Sequence, residues 1–281
     1  MDAAGQDPTT RFSDRVENYV RYRPTYPPEV IGCLKEICSL TDKSVIADVG
    51  SGTGILTKLF LENGNHVFAI EPNREMREAA EKLLAEEENF TSVAGTAEDT
   101  GLPAGSVDFI VAGQAFHWFD RAKSKVEFQR ILRPGGWVVL VWNERETETS
   151  PFLREYEAFL DAHATDYQRV NHTHISVEIL REFYAPGTFQ CSCFSNSQHF
   201  DFEGLKGRCL SSSYIPNAGH PGHESMLAGL KTLFDTHQSS GGFVRFSYQT
   251  RVYHGRFERL RAECPRHCGP GILPGVFPTG T

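Results

Sequence analysis

The stretch VIADVGSGTGI, residues 45–55, places a glycine turn between a buried strand and a helix. Its first five residues are apolar apart from Asp48, which indicates a strand covered on both faces of a sheet. Glycines follow at alternate positions, 50, 52 and 54, and helical periodicity begins at Ile55. Glycines let a ligand approach the backbone closely, and the start of a helix exposes N–H groups. The stretch therefore predicts a site for a nucleotide-like ligand.

Strands and helices alternate from residue 30 to about residue 143. We predict strands at 45–49, 66–70, 91–94, 107–113 and 137–142. Helices of this length between strands imply parallel pairing with right-handed crossovers. Two later stretches with period-two alternation, 190–202 and 243–257, predict further strands, including an antiparallel C-terminal one. The predicted fold class is α/β, a Rossmann-like, doubly wound and mostly parallel sheet with helices on both faces. Its ligands bind at the carboxyl ends of the strands.

The domain organisation follows from where this pattern holds. We predict a single domain over residues 1–257 with a core at about 30–145. The flanking segments 11–29 and 146–242 are expected to supply a lid and acceptor elements, with Tyr19, Tyr22, Arg23 and Tyr26 in the lid. The alternative for this segment is an amphipathic packing helix. From Glu258 the periodicity fails and Pro and Gly become frequent, so 258–281 is expected to be a poorly ordered tail.

Composition excludes several classes of function. The 281 residues carry a formal net charge of -8 and show no interleaved basic patch, so we expect no nucleic-acid partner. No apolar run is long enough to cross a bilayer, and the N-terminus lacks the apolar core of a signal peptide. The seven scattered cysteines are then expected to be reduced thiols in the cytoplasm.

Two cysteine pairs suggest metal binding at first sight. Cys191 and Cys193 are two apart, so in a strand their side chains share a face. Cys264 and Cys268 flank His267 in the tail. A structural zinc site needs about four ligands, and neither pair is accompanied by a second one. The sequence therefore predicts ordinary thiols and no metal.

The ligand of the glycine turn is constrained by its neighbours. A dinucleotide fingerprint would need a small residue where Ile55 stands, and the third glycine comes one position early, at Gly54. Asp48 offers a partner for an ammonium group, and Glu71, about 20 residues downstream, offers one for ribose hydroxyls. S-adenosylmethionine carries both groups, which favours it over NAD. A nicotinamide oxidoreductase remains the alternative enzyme.

With these residues, the sequence resembles the class I S-adenosylmethionine-dependent methyltransferases of the methyltransferase type 11 kind. The resemblance rests on DVGSGTG at 48–54, AIEPN at 69–73, GTAEDTGLPAGSVDFIVAGQAFHWFD at 95–120 and LRPGG at 132–136. Three outer segments, 11–27, 207–216 and 246–257, are similar to trans-aconitate methyltransferases and their relatives. The resemblance covers roughly residues 11–257. Many members have Asp at position 96, where this chain has Thr.

The resemblance implies S-adenosyl-L-methionine as cofactor and assigns residues to it. The first motif would line the methionine and ribose part, and the acid after the second strand would hold the ribose hydroxyls. Residues near position 97 would flank the adenine, and a residue after the fourth strand would lie beside the sulfonium. The residues concerned are Asp48, Gly50, Ser51, Gly52, Glu71, Ala97, Glu98 and Gln114. A non-catalytic protein that binds the cofactor remains a further alternative.

The methyl acceptor is expected to be a small molecule, and we hypothesise a carboxylic acid. His117 is a candidate base or orienting group, or a histidine that only binds backbone. Arg145 could clamp an acidic acceptor or be an ordinary surface arginine. The topology could also bring Arg23 and Arg208 to the same edge of the sheet. We expect a monomer or a weak homodimer, with no membrane partner.

Overall fold

A computed structural model describes residues 16–164, 176–212 and 214–258. The predicted tail beyond Glu258, the Cys264–Cys268 pair and the first residues of the predicted lid lie outside these ranges. None of the helices within them is both long enough and apolar enough to cross a membrane.

The strands form one seven-stranded sheet in the order β3-β2-β1-β4-β5-β7-β6. The first five pair in parallel, and the last two are antiparallel to their neighbours. This confirms the predicted fold class, with two antiparallel strands at one edge. The bounds are β1 Val45–Val49, β2 His66–Ile70, β3 Phe90–Val93, β4 Val107–Gly113, β5 Leu132–Arg145, β6 Phe189–Phe200 and β7 Val244–Gly255.

Nine α-helices occur in the described ranges, and several begin at side-chain caps. Asn73 and Asp120, for example, accept hydrogen bonds from the amides of Met76 and Lys123, which satisfies N–H groups of the first turn. The helices are α1 Val16–Tyr22, α2 Glu29–Cys38, α3 Ile55–Glu62, α4 Arg74–Leu83, α5 Arg121–Ile131, α6 Pro151–His163, α7 Val177–Tyr184, α8 Phe202–Leu210 and α9 His223–His237.

Apolar residues cover both faces of the sheet, as a doubly wound fold requires. One cluster contains Ile110 and Leu140 with α5 and α7, and the other contains Val111 and Val139 with α2 and α3. A third cluster joins α6, α8 and α9 to the far ends of β6 and β7. The strand order reverses at β1, which lies between β2 and β4. The carboxyl ends of β1 and β4 therefore border the crevice where such folds bind ligands.

The RPGG segment differs from its predicted form. The predicted strand begins at Trp137, but β5 begins at Leu132, so residues 132–136 lie inside it. Val107 pairs with Leu132 while Phe109 pairs with Trp137, so five steps along β5 match two along β4. A Cβ at Gly136 would lie 2.9 Å from the Asp108 carbonyl oxygen, which explains why this bulge needs glycine.

Candidate functional site

The glycine turn lies at the carboxyl end of β1 and folds against β2. The amides of Gly50 and Ser51 both donate to the Ile70 carbonyl, at 2.8 and 3.1 Å. All three glycines have positive φ. A Cβ at Gly50 would lie 2.6 Å from Ala115 Cβ, whereas one at Gly52 would meet nothing within 4 Å. Packing therefore accounts for the first glycine, and Gly52 borders open space where a ligand can approach.

Asp48 is completely buried beneath this turn. Its Oδ2 accepts a hydrogen bond from Thr57 Oγ1 at 2.6 Å, while Oδ1 is buried with no hydrogen-bond partner in the described part of the chain. Burial raises the pKa of Asp48 to about 7, although the Thr57 hydrogen bond acts in the opposite direction. An orphaned carboxylate oxygen in this position suits a cationic donor such as an ammonium group.

Glu71 follows β2 and is also buried. One carboxylate oxygen accepts from the Gly52 amide and the other from the Asn73 amide, each at 2.8 Å. Burial raises the pKa of Glu71, and these two amides partly counter the rise. The acid is thus fixed in orientation between the turn and the start of α4. Each oxygen keeps a lone pair for a hydroxyl donor.

The predicted adenine segment is shaped by Thr96. Its hydroxyl accepts from the amides of Glu98 and Asp99, both at 3.2 Å. Ala97 is buried, and Glu98 Oε1 accepts from the Asp120 amide at 2.7 Å. The threonine therefore builds a local turn by the same kind of bond that an aspartate side chain makes.

Gln114 has an unusual backbone for a residue with a side chain. Its φ is +55°, in the left-handed region, and its amide donates to the Val141 carbonyl at 2.9 Å. The side-chain Nε2 donates to the Asn143 carbonyl at 3.4 Å, and Oε1 is buried without a partner among the described residues. Strained backbone of this kind is common where a site positions a ligand.

The aromatic segment after β4 divides into core and pocket residues. Phe116 is fully buried, with its ring 4.6 Å from that of Phe183, so it packs the core. Phe119 is half-buried, 3.6 Å from where a Gly50 Cβ would stand. His117 and Trp118 are half-buried neighbours with ring centroids 4.7 Å apart. Phe119 therefore borders the glycine turn.

Arg23 and Arg208 come together although 184 residues lie between them. Arg23 Nη2 donates to the Ser211 carbonyl at 2.9 Å, and Arg208 donates to Tyr248 Oη and Ser212 Oγ at 3.3 and 3.2 Å. Burial, and then the charge of Arg208, lower the pKa of Arg23. Within the described ranges, neither guanidinium forms an ion pair with a carboxylate. The predicted convergence of these two arginines is observed.

Arg145 is in a different electrostatic state. Its Nη2 lies 2.5 Å from Glu157 Oε2, and its guanidinium lies 4.9 Å from the Tyr156 ring centroid. Arg145 and Arg208 both lower the pKa of Tyr156, which burial raises well above its usual value. Arg145 therefore borders the same cluster, but an acid already offsets its charge.

Tyr26 connects the arginines to the cofactor turn. It is buried, and the charge of Asp48 raises its pKa while that of Arg23 lowers it, with burial as the largest cause of the rise. A Cβ at Gly113 would lie 2.6 Å from Tyr26 Oη, so the ring reaches the end of β4. Sequence reasoning placed Tyr26 in a lid and did not identify Thr57. A polar residue in the apolar first turn of α3 was the available signal for Thr57.

Comparisons with known proteins agree with this geometry. Residues 47–140 match the family model described as a methyltransferase domain. An uncharacterized methyltransferase of Mycobacterium tuberculosis is 38% identical over 155 residues, which is 55% of this chain and 60% of that protein. The chain spans about 60% of the length of this protein and of two other curated relatives that it matches.

Solved structures share the fold. A candidate type II methyltransferase from Anaeromyxobacter dehalogenans superposes with a TM-score of 0.64 at 23% identity, over 84% of this chain and 98% of that one. Phosphoethanolamine N-methyltransferase 2 of Haemonchus contortus, in complex with S-adenosyl-L-methionine, superposes with a TM-score of 0.52 at 14% identity, over 92% of this chain and 59% of that one. Residues 47–140 of this chain are therefore similar to a methyltransferase domain, and the chain shares the fold of solved methyltransferases.

Proposed function

We propose that this chain transfers a methyl group from S-adenosylmethionine to a small-molecule acceptor. The observation that carries the proposal is the pair of buried carboxylates on either side of the open Gly52. Asp48 presents an orphaned oxygen that fits an ammonium group, and Glu71 is held in an orientation that fits two ribose hydroxyls. A dinucleotide would bring a pyrophosphate to this turn, where two acids would repel it. The oxidoreductase alternative is therefore disfavoured.

For the acceptor we propose a small carboxylic acid, bound between Arg23 and Arg208. Arg208 is buried and Arg23 is half-buried, and two guanidiniums so placed repel each other and are costly unless an anion lies close to them. The described part of the chain supplies tyrosine and serine hydroxyls and carbonyls there, and no carboxylate. Arg145 is less suited to this role because Glu157 already pairs with it.

The residues then have simple tasks in the reaction. S-adenosylmethionine supplies an activated methyl group on a positive sulfur. Arg23 and Arg208 would hold the acceptor carboxylate, so that one of its oxygens can attack the methyl carbon in line with the carbon–sulfur bond. Holding this geometry removes much of the entropic barrier. An ester would form with the electrons of the broken carbon–sulfur bond left on sulfur, so no proton would move and no base would be needed. Phe119 and Trp118 would exclude water from the site.

Two measurements test the proposal. Calorimetry should show that S-adenosylmethionine and S-adenosylhomocysteine bind and that NAD does not. Asp48→Asn should weaken the binding of S-adenosylmethionine. Transfer of a labelled methyl group should then be measured across panels of small carboxylic acids, amines and thiols. Tight NAD binding would overturn the cofactor assignment. Cofactor binding without turnover on any panel would favour a non-catalytic binding protein, and turnover on amines or thiols alone would overturn the carboxylate acceptor.

A further inference from the structure

The edge of the sheet carries a pair of thiols that the methyltransferase site does not use. Strand β6 has β7 as its neighbour in the sheet and forms the edge strand. Cys191 and Cys193 lie on it, both exposed and both free. Their Sγ atoms are 3.9 Å apart. Side chains two apart on a strand share a face, so the pair projects from one surface of the sheet.

This spacing suits a bridging atom better than a direct sulfur–sulfur bond. Two residues along a strand place their Cα atoms about 6.6 Å apart, near the upper limit for a disulfide. Two thiolates bound to one tetrahedral Zn²⁺ at about 2.3 Å each lie about 3.8 Å apart. The observed 3.9 Å matches this value without movement of the backbone.

We propose that Cys191 and Cys193 form an exchangeable two-thiolate site for a soft divalent cation of the Zn²⁺ and Cd²⁺ class. Binding forms two sulfur–metal bonds, displaces two waters from the ion and releases two thiol protons to solvent, with no change of oxidation state. Among the described residues, no third Cys, His, Asp or Glu side chain completes a cluster with them. Water therefore fills the remaining positions, and the site stays open and exchangeable.

Burial and the neighbouring Cys193 raise the pKa of the Cys191 thiol to about 11, and Arg251 acts in the opposite direction. Cys193 pairs across the ladder with Arg251, which places a guanidinium beside the two sulfurs. Arg251 is held in place by Glu144, whose Oε2 lies 2.5 Å from Arg251 Nε. This differs from a four-ligand structural zinc site, because water completes the coordination and no second cysteine pair is needed.

Cd²⁺ alone is the probe, titrated into the full-length chain and followed by its ultraviolet sulfur-to-metal charge-transfer absorption. Cys191→Ser/Cys193→Ser should lose one equivalent of bound Cd²⁺, while Cys264→Ser/Cys268→Ser and Cys33→Ser should keep it. A circular dichroism spectrum checks that each variant is folded, which is expected because the two exposed thiols pack against little. Unchanged Cd²⁺ stoichiometry in Cys191→Ser/Cys193→Ser would overturn the site.

A matched pair of variants tests the geometry itself. Cys191→Ser/Ser195→Cys moves the thiols to 193 and 195, again two apart on the same face, and should still bind one Cd²⁺. Cys193→Ser/Ser195→Cys leaves them at 191 and 195, about 13 Å apart, and should bind at least tenfold more weakly. Both variants have the same number of thiols. Equal affinities would mean that spacing does not define the site, which contradicts the proposal.

Discussion

Glu71 Oε2 accepts a hydrogen bond from the Gly52 amide at 2.8 Å, and this bond ties the acid after the second strand to the turn after the first. The other oxygen of the same carboxylate holds the Asn73 amide at the start of α4. Glu71 therefore does two things that the sequence suggests separately. It presents oxygen lone pairs to a ligand and it fixes the turn that the ligand touches.

The first prediction follows from this double role. Glu71→Ala should weaken S-adenosylhomocysteine binding by more than the roughly 1.5–3 kcal/mol of one charged hydrogen bond, because the turn also loses its anchor. Glu71→Gln keeps one acceptor oxygen and should lose less affinity. Calorimetry measures both, with the exposed Glu75→Ala as the matched control. Equal affinity in wild type and Glu71→Ala, with normal melting, would remove Glu71 from the site.

Asp48 should make cofactor affinity depend on pH in a definite direction. Its folded pKa of about 7 means that the carboxylate an ammonium group needs is lost as pH falls through 7. Cofactor affinity should then drop by up to about tenfold per pH unit below that point. Asp48→Asn should bind weakly at every pH and show no such slope. A wild-type affinity that is flat from pH 6 to 8 would contradict the assignment.

The same group affects stability in the opposite direction when no cofactor is bound. An unfolded aspartate has a pKa near 3.9, so the folded state binds more protons than the unfolded state between about pH 4 and pH 7. The contribution of Asp48 to the free energy of unfolding should therefore fall as pH rises through this window. Urea unfolding of wild type and Asp48→Asn across these pH values measures the difference in slope.

Local patterns were sufficient to predict most of the fold. The apolar runs at 45–49 and 107–113 and the alternation at 190–202 determine strands through their immediate neighbours. The first two strands are observed with these bounds, and the third ends at Phe200 because Asp201 caps the next helix. The start of β5 was predicted five residues too late because Gly136 serves a contact with another strand. Gly136 passes Asp108 of β4 too closely for a side chain, and no local pattern records that approach.

The candidate site was less accessible from the sequence for the same reason. Motif spacing identified Asp48 and Glu71, and the topology suggested that arginines would meet. The sequence could not show that Glu157 pairs with Arg145, or that Arg23 and Arg208 have no acid beside them in the described ranges. Such differences depend on side-chain contacts between distant segments, which periodicity does not encode.

The three arginines should therefore differ in how strongly their substitution affects acceptor binding. Arg23→Ala and Arg208→Lys should raise the acceptor KM strongly with a smaller change in kcat, because both residues would bind the acceptor before and during the reaction. Arg208→Lys keeps the charge of a buried position and avoids an uncompensated cavity. Arg145→Ala should raise KM less, since Glu157 already offsets its charge. A larger KM effect for Arg145 than for the other two would reverse the proposed acceptor site.

His117 tests whether the reaction needs a base. Methylation of a carboxylate requires no proton transfer, so His117→Ala should reduce kcat by less than about tenfold, whereas loss of a true base costs about 10²–10⁴-fold. The exposed His199→Ala is the matched control. Steady-state kinetics with saturating cofactor makes the measurement. A collapse of kcat in His117→Ala alone would point to a hydroxyl or amine acceptor instead.

The glycine turn allows ligand approach to be separated from packing. Gly50→Ala places a Cβ 2.6 Å from Ala115 Cβ, at a φ of +69°, so it should lower the melting temperature through both clash and strain. Gly52→Ala meets nothing within 4 Å and carries only the strain of its φ of +58°, about 1–2 kcal/mol. Its methyl group would instead enter the space beside Glu71. We therefore expect Gly52→Ala to melt above Gly50→Ala and yet to lose cofactor affinity by at least tenfold. Differential scanning fluorimetry and calorimetry on the two variants measure both quantities, and retention of wild-type affinity by Gly52→Ala would show that the ligand does not approach the turn there.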